Sequence, residues 1–263
     1  MKKALFLGLL AFVLSGCTEI APVVPALGDR KVLVEEFTGV RCVNCPAGAS
    51  ELDNLRGIYG ERLVVVSIHT GDFAPPYSDS RFDFRTAEGD ALEKKLGAPL
   101  GYPTAVINRK KFTGQTGLQV GRSLWAGLIA GETKEASAVS FTIEKTYNAT
   151  TRQFQIIIKA VENVKDALKN VVFSAMITED NIVDAQETPS GKKSDYKHRH
   201  VFRAFAGDEV AINSTGSASV SYTFNGVLKP NWVVGNCSVV LVLSQKNGAI
   251  RDVLQVSEIK ITN

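Results

Sequence analysis

The stretch Val34-Glu35-Glu36-Phe37-Thr38-Gly39-Val40-Arg41-Cys42-Val43-Asn44-Cys45-Pro46-Ala47 decides how this chain reads. An apolar run ends in a turn, two cysteines follow with two residues between them, and Leu52, Leu55, Ile58 and Tyr59 then recur at helical spacing. The pattern predicts a strand over residues 31–38 that hands over to the N-terminus of an amphipathic helix. Cys42 falls at that junction. Unpaired backbone N–H groups and the positive end of the helix dipole favour an anion there. A thiolate is such an anion, so the placement lowers a cysteine pKa and makes Cys42 a candidate nucleophile. Arg41 adds a cation beside it.

Downstream, Gly101-Tyr102-Pro103-Thr104 precedes the apolar run Ala105-Val106-Ile107. Together with the strand and the C-x-x-C, this resembles a thioredoxin-like active site over roughly residues 30–132. The resemblance implies that Cys42 and Cys45 pair, that Cys42 attacks a substrate disulfide and that Cys45 resolves the mixed disulfide. It also implies that Tyr102-Pro103 is a cis-proline turn facing the cysteines and presenting backbone to a bound peptide. Glu36, six residues before Cys42, falls where that family carries a buried acid able to take the Cys45 proton. Glu35 competes with Glu36 for the inward position. Two features depart from the family pattern: Arg41 stands for the usual tryptophan, and Val43-Asn44 for Gly-Pro.

Working outward, residues 62–69 (Arg-Leu-Val-Val-Val-Ser-Ile-His) read as a strand buried on both faces. Residues 71–80 contain Pro75-Pro76 and read as a loop. Helical stretches are expected over 81–96 and 118–129. Near Ala136 the pattern changes to period two: Val139, Phe141, Ile143; Phe154, Ile156, Ile158; Val220, Tyr222, Phe224. The expected architecture is therefore an α/β thioredoxin-like domain (30–132) followed by an all-β immunoglobulin-like sandwich domain (137–263). Residues 180–195 read as a polar connection between strands. His198 and His200 lie two apart and read as a basic, exposed strand edge rather than metal ligands. His69 reads as a hydrogen-bonded structural histidine.

The N-terminus carries Met1-Lys2-Lys3, an apolar run from Ala4 to Leu14, and Leu14-Ser15-Gly16-Cys17. The run suits a signal peptide and is shorter than the roughly 20 residues a bilayer span needs. The small residues before Cys17 resemble a bacterial lipobox, which implies cleavage after residue 16, acylation of Cys17 and a tether over 17–29. Formal net charge is +3, and the loss of Lys2 and Lys3 leaves +1, so no attraction to nucleic acid is expected. Cys237 reads as a small buried hydrophobe that opens a strand. No cofactor or metal motif is apparent: no second C-x-x-C completes a zinc site, and there is no P-loop or GxGxxG.

As a whole, the chain resembles the Omp-twenty-eight-related family of outer-membrane lipoproteins. The residues that carry this are Asp195-Tyr196-Lys197-His198-Arg199-His200-Val201-Phe202-Arg203 and Asn231-Trp232-Val233-Val234-Gly235-Asn236-Cys237. The expectation is a lipid-anchored protein of the bacterial cell envelope, at the outer membrane, exchanging thiols and disulfides with envelope proteins. The alternative is a non-catalytic interaction lipoprotein whose C-x-x-C is a structural disulfide. An exposed Cys42 favours the first, and a C-terminal region docked over Cys42 favours the second.

Overall fold

The computed structural model describes residues 29–214, 217–246 and 252–262. Cys17 and the expected signal segment lie outside them. The chain forms β1 (Val32–Thr38), α1 (Cys45–Tyr59), β2 (Leu63–His69), α2 (Ala87–Leu96), β3 (Thr104–Ile107), β4 (Gln119–Gly121) and α3 (Trp125–Glu132). It continues with β5 (Val139–Tyr147), β6 (Gln153–Glu162), β7 (Val171–Glu179), β8 (Ile182–Thr188), β9 (Gly191–His198), β10 (Val201–Phe205), β11 (Val210–Ile212), β12 (Ser219–Val227), β13 (Cys237–Gln245) and β14 (Val253–Lys260).

Local chemistry accounts for the helix starts. Pro46 lies in the first turn of α1, where a missing N–H breaks no helical bond. Thr86 caps α2 by accepting from Gly89 N at 2.9 Å. Glu88 and Asp90 in its first turn and Lys94 and Lys95 in its last complement the dipole. The helix expected from residue 81 therefore begins at Ala87. Arg81 N and Phe82 N instead donate to the Asp184 carboxylate of β8 at 3.2 and 2.8 Å.

The strands join in a way that corrects the expected fold. Among the described residues one nine-stranded sheet runs β14-β13-β7-β10-β2-β1-β3-β4, with β11 also on β7. Strands from both halves of the chain belong to it. The junction is β10 against β2, parallel, where Val201 faces Ser67 and Ser67 N donates to His200 O at 2.8 Å. A three-stranded sheet, β12-β6-β5, packs on the β7–β13 end, and β8–β9 forms a separate hairpin. The molecule is thus mainly β, a sandwich-like fold with few helices. It is not an α/β thioredoxin-like domain followed by an immunoglobulin-like sandwich. The cause is long-range pairing. The outer edge of β2, which the local pattern leaves open, is occupied by β10 from more than 130 residues away.

The cores show the same continuity. Leu33 and Phe37 of β1, Val64, Val66 and Ile68 of β2, and Leu92 and Leu96 of α2 share one cluster with Met176, Val240, Val242 and Val256 of the C-terminal strands. On the opposite face of β1–β2, Val32, Val34 and Val65 pack under Leu52 and Leu55 of α1 and Trp125 and Ile129 of α3. A third cluster fills the space between the two sheets, from Phe154, Ile156 and Phe224 to Phe173, Val239 and Leu241. Every residue of β1 and β2 is buried, which explains their nearly uninterrupted apolar character.

Candidate functional site

Period-two alternation along β1 sends its two carboxylates in opposite directions. Glu35 points with Leu33 and Phe37 and meets Arg109 in a bidentate pair, with contacts of 2.7 to 3.2 Å. Glu36 points the other way, towards α1, and is the inward acid on the cysteine side. It accepts from Ser67 Oγ at 2.8 Å, Ser67 being its direct partner on β2. Its Oε1 has no hydrogen-bond partner among the described residues. Burial pushes the Glu36 carboxyl from its ordinary 4.5 up to about 7, against the pull of the Ser67 hydrogen bond and helped by the charge of Asp53.

Cys42 and Cys45 are joined in a disulfide, their Cα atoms 5.4 Å apart. Cys42 N donates to Gly39 O at 3.1 Å and Cys45 N to Cys42 O at 3.3 Å, so the pair is wound into the turn that opens α1. The Asn44 side chain makes no capping bond and the first turn of α1 holds no acidic residue. The positive end of the dipole is thereby left to the cysteines. Gly48, one turn on, lets the helix lie against two other expected residues. A Cβ built there would stand 2.7 Å from Pro103 Cγ and 3.1 Å from Glu36 Oε1. Cys45, Glu36 and Pro103 are therefore assembled on one side of the sheet, and Tyr102-Pro103 is a cis peptide.

The remaining expected residues face elsewhere. Arg41 donates to Pro75 O and Pro76 O, both at 2.7 Å, and lies 4.6 Å over the Tyr77 ring. Its charge is spent on the 75–77 loop rather than aimed at sulfur. The Tyr102 hydroxyl lies 3.5 Å from Thr70 Oγ1 and donates to Glu93 at 3.3 Å. Burial raises its pKa. Cys237 opens β13 fully buried, and burial pushes its thiol up to about 12.

The sequence reading missed what covers the disulfide. Residues 180–195, read as a connection, form most of the β8–β9 hairpin, which is clasped over the cysteine turn. Gln186 Nε2 donates to Gly39 O at 3.2 Å and to Cys42 O at 3.1 Å, and Glu187 N donates to Val40 O at 2.7 Å. Tyr77 OH to Glu187 and Lys192 to Asp79 hold the flank. Cys42 is only 3% exposed and Cys45 2%. Val43 between them is 41% exposed, so the tip of the turn still meets solvent.

Beneath Cys45 lies a cavity of about 40 Å³, lined by Glu36, Cys45, Ser67, His69, Tyr196 and His198 among others. It admits water but is far below the roughly 300 Å³ of a small-molecule pocket. The two histidines of the C-terminal motif are not an exposed edge. His198 ends β9 buried against Phe84 and His69, with ring centroids 4.7 and 5.8 Å away. His200 has a φ of 54°, so the chain turns after β9 and the two do not lie along one strand face, although both border the same cavity. Burial holds both at about 4, hence neutral. His200 lies near Asp180 and Glu258 in a grouping of metal-ligand type, but cations already serve it. Arg56 donates to Glu258 at 3.2 Å and Lys260 to Asp180 at 3.0 Å.

Fold and site define a mainly β protein whose N-terminal cysteine turn is capped by its own C-terminal half. The model of the family described as Outer membrane protein Omp28 matches residues 90–263, about two thirds of the chain, and the chain belongs to that family. Its place is accordingly the bacterial outer-membrane envelope. The matched segment includes Tyr102-Pro103 and the covering hairpin but not the cysteine pair. No curated protein matches the chain in sequence. Among solved structures it is similar to HBP35 of Porphyromonas gingivalis, at 15% identity and a TM-score of 0.66, covering 89% of this chain and 76% of that one. It is also similar to a structural-genomics target protein of Agrobacterium tumefaciens, at 15% identity and a TM-score of 0.53, covering 90% and 97%. These likenesses are of fold.

Proposed function

We propose that this outer-membrane family member exchanges thiols and disulfides with envelope proteins through Cys42 and Cys45, held at the membrane by lipid on Cys17. The observation that carries the reading is Glu36. A carboxyl buried to this degree, bonded only to Ser67 and with one oxygen unpaired, costs stability. Beside Cys45 it has a use. When an incoming thiolate attacks Cys42 Sγ, the disulfide breaks, a mixed disulfide forms and Cys45 leaves as thiolate. A group titrating near 7 is half protonated under working conditions and supplies the proton. In reverse, Glu36 carboxylate takes the Cys45 proton, Cys45 attacks Cys42 Sγ and the partner leaves reduced. The free helix end stabilises whichever sulfur is anionic.

A second reading, an interaction lipoprotein with a structural disulfide, is favoured by the burial of Cys42 under Gln186 and Glu187. The two separate on one experiment. Cys45→Ser, expressed in its envelope, is expected to accumulate mixed disulfides with other envelope proteins, while Cys42→Ser and the double variant accumulate none. No trapped partner, together with a Cys42 thiol that titrates at or above the ordinary value of about 8.5, would leave the structural reading standing. For the anchor, intact mass of the native protein is expected to show a lipid-bearing N-terminus at Cys17.

A further inference from the structure

The cavity under Cys45 holds a second orphan. His69 Nδ1 is buried and, like Glu36 Oε1, has no hydrogen-bond partner among the described residues. The strand register places the two together. Glu36 faces Ser67 and Thr38 faces His69 across the parallel β1–β2 pair, so Glu36 and His69 are diagonal neighbours on the face that carries α1. Both line the same cavity, whose volume of about 40 Å³ exceeds the roughly 10–15 Å³ a water requires. Two unpaired polar atoms in a polar space of that size are the setting of an internal water. A buried polar atom left without a partner is costly.

We propose that His69 is a positioning residue for proton transfer at Cys45: its Nδ1 anchors a cavity water that hydrogen-bonds Glu36 Oε1 and steadies the carboxylate when Glu36 takes the cysteine proton. The proposal rests on the exchange reading above and adds to it the group that governs the acid. The surroundings favour a neutral imidazole as the anchor. Burial, then repulsion from His198 in its charged form and from Arg203, hold His69 well below its ordinary value, opposed by the Ser67 backbone and by Asp83. The other titratable groups facing the cavity are Cys45 and Asp53 on α1, Tyr196, Lys197 and His198 on β9, and Arg199 and His200 just beyond it. Five of these groups, Tyr196 to His200, come from the C-terminal half, so the hairpin that hides Cys42 also closes the water in.

The test follows the second step of an exchange. Reduced full-length protein is treated with an aromatic disulfide. Cys42 thiolate attacks it and releases one aromatic thiolate. Cys45, its proton passing to Glu36, then attacks Cys42 Sγ, closes the protein disulfide and releases a second. The rate of second release is followed against pH. In the wild type it is expected to rise through an inflection near the Glu36 value, and in Glu36→Gln to lose that inflection. In His69→Phe, which fills the space and removes the polar atom, the inflection is expected about one unit higher, the size of one lost hydrogen bond to a charged group. His69→Gln, which keeps a polar side chain there, is expected to return towards wild type. An inflection lost in Glu36→Gln but unmoved in His69→Phe overturns the role of His69 and leaves the exchange reading intact. Absence of second release in the wild type overturns both. Should His69→Phe fail to fold, magnetic cross-relaxation between water and the buried protons of Ser67 and His69 decides in the unaltered protein: a long-lived internal water is expected, and a dry cavity overturns the proposal.

Discussion

The two faces of β1 carry adjacent buried carboxylates with opposite fates. On one face Glu35 meets a guanidinium in a fork–fork geometry, with both side chains essentially inaccessible. On the other, Glu36 has a serine hydroxyl, a cavity and, among the described residues, no ion-pair partner. Glu35 is therefore tied to Arg109 within the sheet, and Glu36, on the function proposed above, is the group that trades protons near neutrality. The difference teaches that burial alone does not nominate an acid. Burial without compensation, next to a group that could exchange a proton, does.

The largest expected effect comes from breaking the compensated face. Arg109→Met leaves Glu35 charged and alone in the core, and is expected to cost about 3–5 kcal/mol in urea unfolding. Glu35→Met with Arg109→Met removes both charges and is expected to recover most of that loss. If the single variant unfolds at the wild-type midpoint, the contrast between the faces disappears.

Glu36→Gln is next, with the opposite sign. The folded-state pKa is raised from 4.5 to about 7, so the folded protein binds this proton more tightly than the unfolded chain. Stability from this group is greatest below pH 4.5, declines as pH rises through about 7, and is fully lost above it. At 1.36 kcal/mol per unit, the glutamine variant is expected to be more stable by about 3 kcal/mol at pH 8 and nearly unchanged at pH 4. Chemical denaturation at the two pH values checks this. Equal gains at both would mean that Glu36 is not the titrating group.

The smallest effect sharpens the comparison by opening the site. Gln186→Ala removes two bonds to the cysteine turn and is expected to lower global stability by about 1 kcal/mol. Because the clasp covers Cys42, reduction of the disulfide by dithiothreitol is expected to quicken several-fold. An unchanged rate would show that access does not run through the hairpin.

Much of the site could be read from the chain. The C-x-x-C at a strand-to-helix handover and the proline turn before β3 depend on residues close in sequence; strand alternation says only that Glu35 and Glu36 face opposite ways, and the register decides which faces the cysteines. The strand pattern of the C-terminal half was equally plain: Phe154, Ile156 and Ile158 alternate on β6 as observed. The cover was not legible. Asp184, Gln186, Lys192 and Lys193 make residues 180–195 look solvated, yet Asp184 and Gln186 are buried because each caps backbone groups of a distant loop. Gln186 has no sequence signal that would nominate it. His69 had one, the parity it shares with Ser67 opposite Glu36, but parity becomes geometry only once the register is known.

The sequence by itself determined most local strands and the cysteine turn at the start of α1, because hydrophobic period and side-chain alternation act over a few residues. Only the tertiary structure decided that the two halves share one sheet and one core, that the disulfide is hidden, and that Glu36 and His69 look into one cavity. Those outcomes depend on which strand edge finds which partner. That choice is made by burial and hydrogen bonding summed over residues more than a hundred positions apart.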